Sequence, residues 1–272
     1  MSAASPAGLS MRRIRAIFRR HAYLLMGSWP RILELVYWPS VQMLLWGYLT
    51  LFLQQESGLV ARAAGLFLSA VLLWDTLFRG QLGVALCFLE EMYARHLGHL
   101  FVSPLRPWEL VAAIFGISLG RVLIGVGGAA LLAVPVFDFS LPHTLGWALL
   151  PFLAVLLAFG WAIGLVIAGL VLRLGLAAES LAWGAIFLIQ PLSGVYYPVA
   201  VLPAPLQVLA WCLPSAAVFE GMRSVLIAGR LDPGLLAWAA ATLLVWLALG
   251  AAAFLGLFRA ARRRGLLLQV GE

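Results

Sequence analysis

The chain has 272 residues, of which 64% are hydrophobic and only 11% charged, with a mean hydropathy of +1.02; a soluble domain carries roughly a quarter charged residues and has no core able to hide so much apolar surface. All 18 basic residues are arginine, against 11 acidic ones, for a formal charge of +7, and the absence of lysine excludes an intact P-loop, whose lysine must reach the nucleotide phosphates. Composition therefore predicts a single membrane domain whose arginine excess lies at the cytoplasmic face rather than on a nucleic acid, with any ATP hydrolysis performed by another chain.

In chain order, residues 10–28 set Met11, Ile14, Ile17, Phe18, Leu24 and Leu25 among Arg12, Arg13, Arg15, Arg19 and Arg20, the pattern of a helix lying on an anionic membrane surface. The apolar stretch after these arginines is interrupted by Gly27, Trp29, Pro30 and Arg31, unlike a cleavable signal peptide. Stretches of about 20 apolar residues, enough to cross the hydrocarbon core, occur near 33–54, 64–88, 110–136, 145–172, 180–198 and 234–258. The expected fold is an all-α integral membrane protein of six transmembrane helices, with an interfacial helix over 1–31, a cytoplasmic segment over 89–109 and a cytoplasmic tail over 259–272. Between 194 and 232, Pro198, Pro203, Pro205 and Pro214 break the chain into pieces too short to span, and short re-entrant helices on the outer face are expected there.

With both termini inside, 13 arginines (Arg12 to Arg31, Arg95, Arg106, Arg173 and Arg259 to Arg264) fall on the cytoplasmic side and Arg62, Arg223 and Arg230 outside, as the positive-inside rule asks. The GxxxG spacings Gly116 to Gly120 and Gly160 to Gly164 permit close helix packing. Trp29, Trp38, Trp108, Trp147 and Trp238 fall near span ends, where an aromatic belt forms. Cys87 and Cys212 fall on opposite sides of the membrane, too far apart for a disulfide.

Three constellations stand out. In LEEMYARHLGHLFVSPLRPWE (89–109), Leu89, Met92, Tyr93, His96, Leu97, Leu100 and Phe101 share one helical face and Glu90, Glu91 and Arg95 the other, so a short amphipathic helix is expected at the cytoplasmic surface, ended by Ser103-Pro104 and followed by a helix that Pro107 and Glu109 start. Residues 191–223 combine helix-breaking prolines with Gly194, and broken backbone at membrane depth needs cover from protein or water. Asp75 and Arg79 on the second span and Arg121 on the third are intramembrane charges, each costing about 2.5 to 3.5 kcal/mol at a helix centre. Asp75 and Arg79, at i and i+4, share a face and are expected to pair; Arg121 is then the uncompensated charge, facing either a structural network or an anionic substrate. No HExxH, CxxC or GxSxG occurs, and His21, His96, His99 and His143 do not form a metal set.

The acidic pair, the amphipathic turn and the Ser103-Pro104-Leu105-Arg106 run resemble the coupling segment of type-2 ABC exporter permeases, although Arg95-His96-Leu97-Gly98 stands where members commonly carry a small Gly-Thr-like pair. Pro191, Ser193, Gly194, Pro198, Leu202, Pro203, Pro214, Glu220, Gly221 and Arg223 are similar to that family's signature before the last span. The resemblance implies that Glu90, Glu91, Tyr93, Arg95, Pro104, Leu105 and Arg106 belong to a surface that docks a separate nucleotide-binding subunit. It also implies that the second segment roofs the exit of a translocation path. By the same resemblance, a soluble P-loop partner binds ATP and Mg, the permease pairs with a second copy or a similar chain in a bacterial cytoplasmic membrane, and a lipid, glycan or amphipathic drug-like molecule is exported. The competing expectation is a secondary transporter or channel that uses Asp75, Arg79 and Arg121 as a midplane site.

Overall fold

The computed structural model describes residues 6–56, 64–94 and 106–263, and no strand occurs among them. The helices are α1 (Pro6–Met26), α2 (Trp29–Glu56), α3 (Ala64–Tyr93), α4 (Pro107–Phe137), α5 (Leu141–Leu145), α6 (Leu149–Leu174), α7 (Glu179–Ile189), α8 (Ala204–Trp211), α9 (Pro214–Ala228) and α10 (Pro233–Arg263). One-turn 3₁₀ pieces at Gly146–Ala148, Gly175–Ala178 and Val199–Val201 join or precede them.

Four of these segments are long and apolar enough to cross a membrane: Gly65–Tyr93, Pro107–Phe137, Leu141–Leu174 and Pro233–Arg263. The expected span at 33–54 forms α2, which has the length, about 42 Å at 1.5 Å per residue, but carries Arg31, Glu34 and Gln42 and is less apolar than the four. The expected span at 180–198 is corrected: its helix, α7, stops at Ile189 after 11 residues, about 16 Å, or half the hydrocarbon thickness. Side-chain register shows how the chain nevertheless returns. Gly160 abuts Leu77 and Gly164 abuts Val84, while Gly250 abuts Ala162 and Gly169 abuts Leu257; α3, α6 and α10 therefore run in the same direction. The start of α10 lies at the opposite level from the end of α6, and the chain between Leu174 and Pro233 makes that return in pieces.

Small residues set the helix spacing. A methyl at Gly160 would sit 2.6 Å from the Leu77 carbonyl oxygen and 2.9 Å from the Gln81 nitrogen, and one at Gly164 would sit 2.9 Å from the Gln81 oxygen. The Gly160 to Gly164 spacing is thus the α3–α6 contact, whereas Gly120 faces open space. Without a hydrophobic driving force between helices in lipid, such backbone approach supplies dispersion contact. Ser118 on α4 donates to the Gly80 carbonyl at 3.0 Å and accepts from Trp161 Nε1 at 3.1 Å, and Gln81 donates to the Ala182 carbonyl at 3.0 Å, fastening α7 to α3. The helix start at Pro107 follows expectation, with Glu109 Oε2 accepting from the Arg106 N–H at 2.9 Å. Both cysteines are free, Cys87 buried and Cys212 exposed.

Gly160→Val should separate α3 from α6 and lower stability by about 1 to 3 kcal/mol, whereas Gly120→Val should be close to neutral; the melting temperatures of the two variants in mild detergent compare them directly.

Candidate functional site

A groove of about 710 Å³ runs along α3, walled by α2, α4, α7 and Tyr196. Trp46 on α2 stacks on Phe67 on α3, and the Leu35 carbonyl and the Arg79 side chain both abut Gly125, so α2 and α3 are antiparallel and the groove follows both. One end is aromatic: Trp46 stacks on Tyr196 with ring centroids 4.3 Å apart. Its middle and the opposite end carry Asp75, Arg79, Arg31, Glu34, Glu90 and Arg121.

Asp75 and Arg79 pair as their spacing predicts, Arg79 Nε donating to Asp75 Oδ2 at 2.6 Å with both side chains buried. Arg121 is not the lone charge expected from the sequence. It is 5% exposed, and its Nη2 donates to both oxygens of Glu90 at 3.0 and 3.2 Å. Glu90 also lies 3.6 Å from Arg31 and 3.7 Å from His21. Glu91, 4% exposed, lies 2.9 Å from Arg20 and 3.4 Å from His21 Nε2.

The acidic pair therefore departs from the solvent-facing placement that the amphipathic pattern suggested. α3 continues without a break to Tyr93, so Glu90 and Glu91 end a buried helix rather than begin a surface one. The face of α1 that carries Arg13, Arg20 and His21 lies over them, while Arg12, Arg15 and Arg19 are exposed. That helix packs on the ends of α3 and α4 nearest Glu90 and Glu109, with Phe18 against Gly116 and Arg13 3.6 Å from Glu109. His21, 1% exposed, sits between the two carboxylates and was missed. The only sequence signal for it was charge complementarity between α1 and the Glu90-Glu91 pair.

Of the other residues in the docking set, Tyr93 is exposed and donates to Glu179 at the start of α7, Arg106 is the N-cap of α4, and Arg95, Pro104 and Leu105 lie outside the described residues. His21, Cys87 and Glu90 bring possible ligand atoms within 4.8 Å of one another. The Glu90 carboxylate is already held by Arg121 and Arg31, so a metal ion there would add charge to a cationic cluster.

At the other end of the bundle, the residues singled out between 191 and 223 converge. Gly194 takes φ 62°, a left-handed conformation that glycine adopts without strain, and its carbonyl accepts from Arg223 Nη2 at 2.7 Å. Arg223 also pairs with Glu220 at 3.1 Å, and Glu220 Oε1 accepts from the Val199 N–H at 2.6 Å. Ser193 and Ser215 hydroxyls meet at 2.8 Å. The prolines punctuate: the Pro191 carbonyl accepts from Tyr197 at 2.7 Å, Pro198 precedes the turn at Val199–Val201, Pro203 caps α8 and Pro214 opens α9. The loop from α7 to α9 is thereby locked onto α9, which packs against α6 and α10.

Four apolar spans, two of which line a charged groove together with α2 and α7, define a multi-pass membrane protein. The model of the ABC-2 type transporter family matches residues 9–227, most of the chain, and the chain belongs to that family. A glycerol-3-phosphate acyltransferase of Maricaulis maris is 33% identical over 118 residues, which is 43% of this chain and 49% of that protein. The chain thus spans about half the length of that relative.

Arg121→Ala leaves Glu90 in a mostly buried site with one strong partner fewer, and should cost about 3 kcal/mol of stability. Glu90→Gln combined with Arg121→Ala should recover part of that loss, and the melting temperatures of the two single variants, Glu90→Gln and Arg121→Ala, and the double variant give the coupling between the charges.

Proposed function

We propose that this chain is the membrane half of an exporter in a bacterial cytoplasmic membrane, with both termini inside. It pairs with a second copy or a similar permease, and separate P-loop subunits at the cytoplasmic face bind ATP and Mg. The cargo is a lipid, glycan or amphipathic drug-like molecule that moves along the groove. One observation carries this reading: the end of α3, where the segment that resembles a coupling segment begins, contacts three other helices at once through Glu90. Glu90 contacts Arg121 on α4, Arg31 on α2 and His21 on α1, while Tyr93 holds the start of α7.

A displacement of the 95–105 segment by an ATPase would therefore reach α1, α2, α4 and α7 through one helix end. Packed helices respond to such a push by shifting between discrete arrangements rather than by bending smoothly. The groove lies along α2, α3 and α7, the elements this junction would move. At its outer end the stacked Trp46 and Tyr196 close the path, and Tyr196 belongs to the loop that Arg223 and Glu220 hold. Apolar aromatic walls with charges confined to the cytoplasmic half suit an amphipathic cargo entering from inside or from the inner leaflet.

Purification of the tagged chain from its own membrane in mild detergent should bring down a stoichiometric P-loop subunit and an ATPase activity. Consistent absence of any ATPase, under conditions that keep known complexes intact, would overturn the exporter reading. In the assembled complex, Tyr93→Phe should keep the subunits together and lower ATP turnover severalfold.

A further inference from the structure

The ion pairs along the groove leave two polar groups with unused capacity. Arg79 spends Nε on Asp75, and its terminal Nη1 and Nη2 donate to nothing among the described residues, although the side chain is only 8% exposed and lines the groove. A guanidinium presents those terminal N–H groups as a planar fork matched to a carboxylate or phosphate. The second group is Glu34. It lines the same groove, acts electrostatically on Arg121, and makes no ion pair or hydrogen bond among the described residues.

The α2 backbone next to Glu34 comes close to Arg79. The Leu35 carbonyl oxygen and Arg79 Nε lie 2.8 and 3.1 Å from the point where a side chain at Gly125 would begin, and Glu34 directly precedes Leu35. Pro39, inside α2, has no N–H to give the Leu35 carbonyl, which is left as a further acceptor at this level. Outward from here the walls are Trp38, Trp74 and Phe78, ending at Trp46 and Tyr196. From Glu90 to Val71 the groove follows α3 for about 28 Å at 1.5 Å per residue.

Charge balance narrows the occupant. Arg31, Arg79 and Arg121 line the groove together with Glu34, Asp75 and Glu90, so the two signs are equal. Arg31 and Glu34 are exposed, but Asp75, Arg79 and Arg121 are buried, so a ligand of net charge at the Arg79 level would leave an uncompensated ion beside apolar walls. A zwitterion adds none and fills both open positions.

We infer that the groove binds a long-chain amphiphile with a zwitterionic headgroup, its anionic phosphate or carboxylate held by the Arg79 fork and its ammonium by Glu34, with the chain laid along the aromatic wall. The proposal rests on the exporter reading for the idea that this molecule is cargo, and on the geometry alone for its binding. The purified chain in maltoside detergent can be titrated with lysophosphatidylethanolamine carrying a brominated chain, whose bromines quench the groove tryptophans. Brominated lysophosphatidylglycerol supplies the anionic comparison and a brominated alkyltrimethylammonium the cationic one.

The zwitterion should bind about tenfold or more tightly than either comparison probe. Arg79→Gln should weaken its binding about tenfold or more, and Glu34→Gln should bring lysophosphatidylglycerol up to the zwitterion's level. Because Arg79→Gln strands Asp75, the neutral pair D75N/R79Q repeats the measurement without a lone buried charge. Wild-type-like binding to D75N/R79Q, or equal binding of all three probes to the natural chain, overturns the proposal. No ATPase enters this measurement: binding as expected without a co-purifying ATPase would sink only the exporter reading, and failed binding beside a recovered ATPase would sink only the lipid site.

Discussion

A charge on a helix in hydrocarbon has no water to turn to, and α3 carries four of them: Asp75, Arg79, Glu90 and Glu91. The rest of the molecule is arranged around that fact. Within the most apolar stretch of α3, 89% is buried inside the protein, whereas for α10 the figure is 17%, so the helix with the charges is the centre and the helix without them is the periphery. Asp75 and Arg79 answer each other along the helix. Glu90 and Glu91 are answered from α1, α2 and α4, and α1 folds back against that end of the bundle.

Such burial is affordable only when it is complete. The net worth of a buried ion pair is small, because desolvation consumes most of the attraction, while the loss of one partner is strongly destabilising. The junction of Glu90 with Arg121, Arg31 and His21 is therefore better understood as a device that fixes which helix ends sit together than as a source of stability. The helices close in on α3 through a different contribution, the near contact of backbone at Gly160, Gly164 and Gly250 and the hydrogen bonds of Ser118 and Gln81. Rigid contact on the α6 side and ionic contact on the α2 side leave the groove on the side whose partners are charges.

The outer segment obeys the same requirement in another form. Prolines between Pro191 and Pro214 forfeit backbone donors, and the turn at Gly194 exposes a carbonyl; Arg223 and Glu220 satisfy the carbonyl and the Val199 N–H from one helix face. That clamp is what permits irregular chain beside apolar spans, and it also positions Tyr196 over the end of the groove.

Several features were legible in the sequence because they depend on local composition. The helical membrane fold, the Asp75 to Arg79 pair, the start of α4 at Pro107 and the breaks at Pro198, Pro203 and Pro214 follow from hydropathy, i to i+4 spacing and proline chemistry, none of which needs a distant partner. The early halt of α7 at Ile189 was not legible, since apolarity continues past it and only packing decides where a helix ends. Nor were the partners of Glu90, Glu91 and Arg121. Periodicity assigns a residue to a face of its own helix and says nothing of which helix covers that face, so an acidic pair that reads as solvated along the chain becomes buried once α1 lies across it. The sequence by itself determined that the chain would be built of apolar helices; the tertiary structure decided where they break and which charges meet, because ion pairs between helices are set by packing in three dimensions and not by spacing in one.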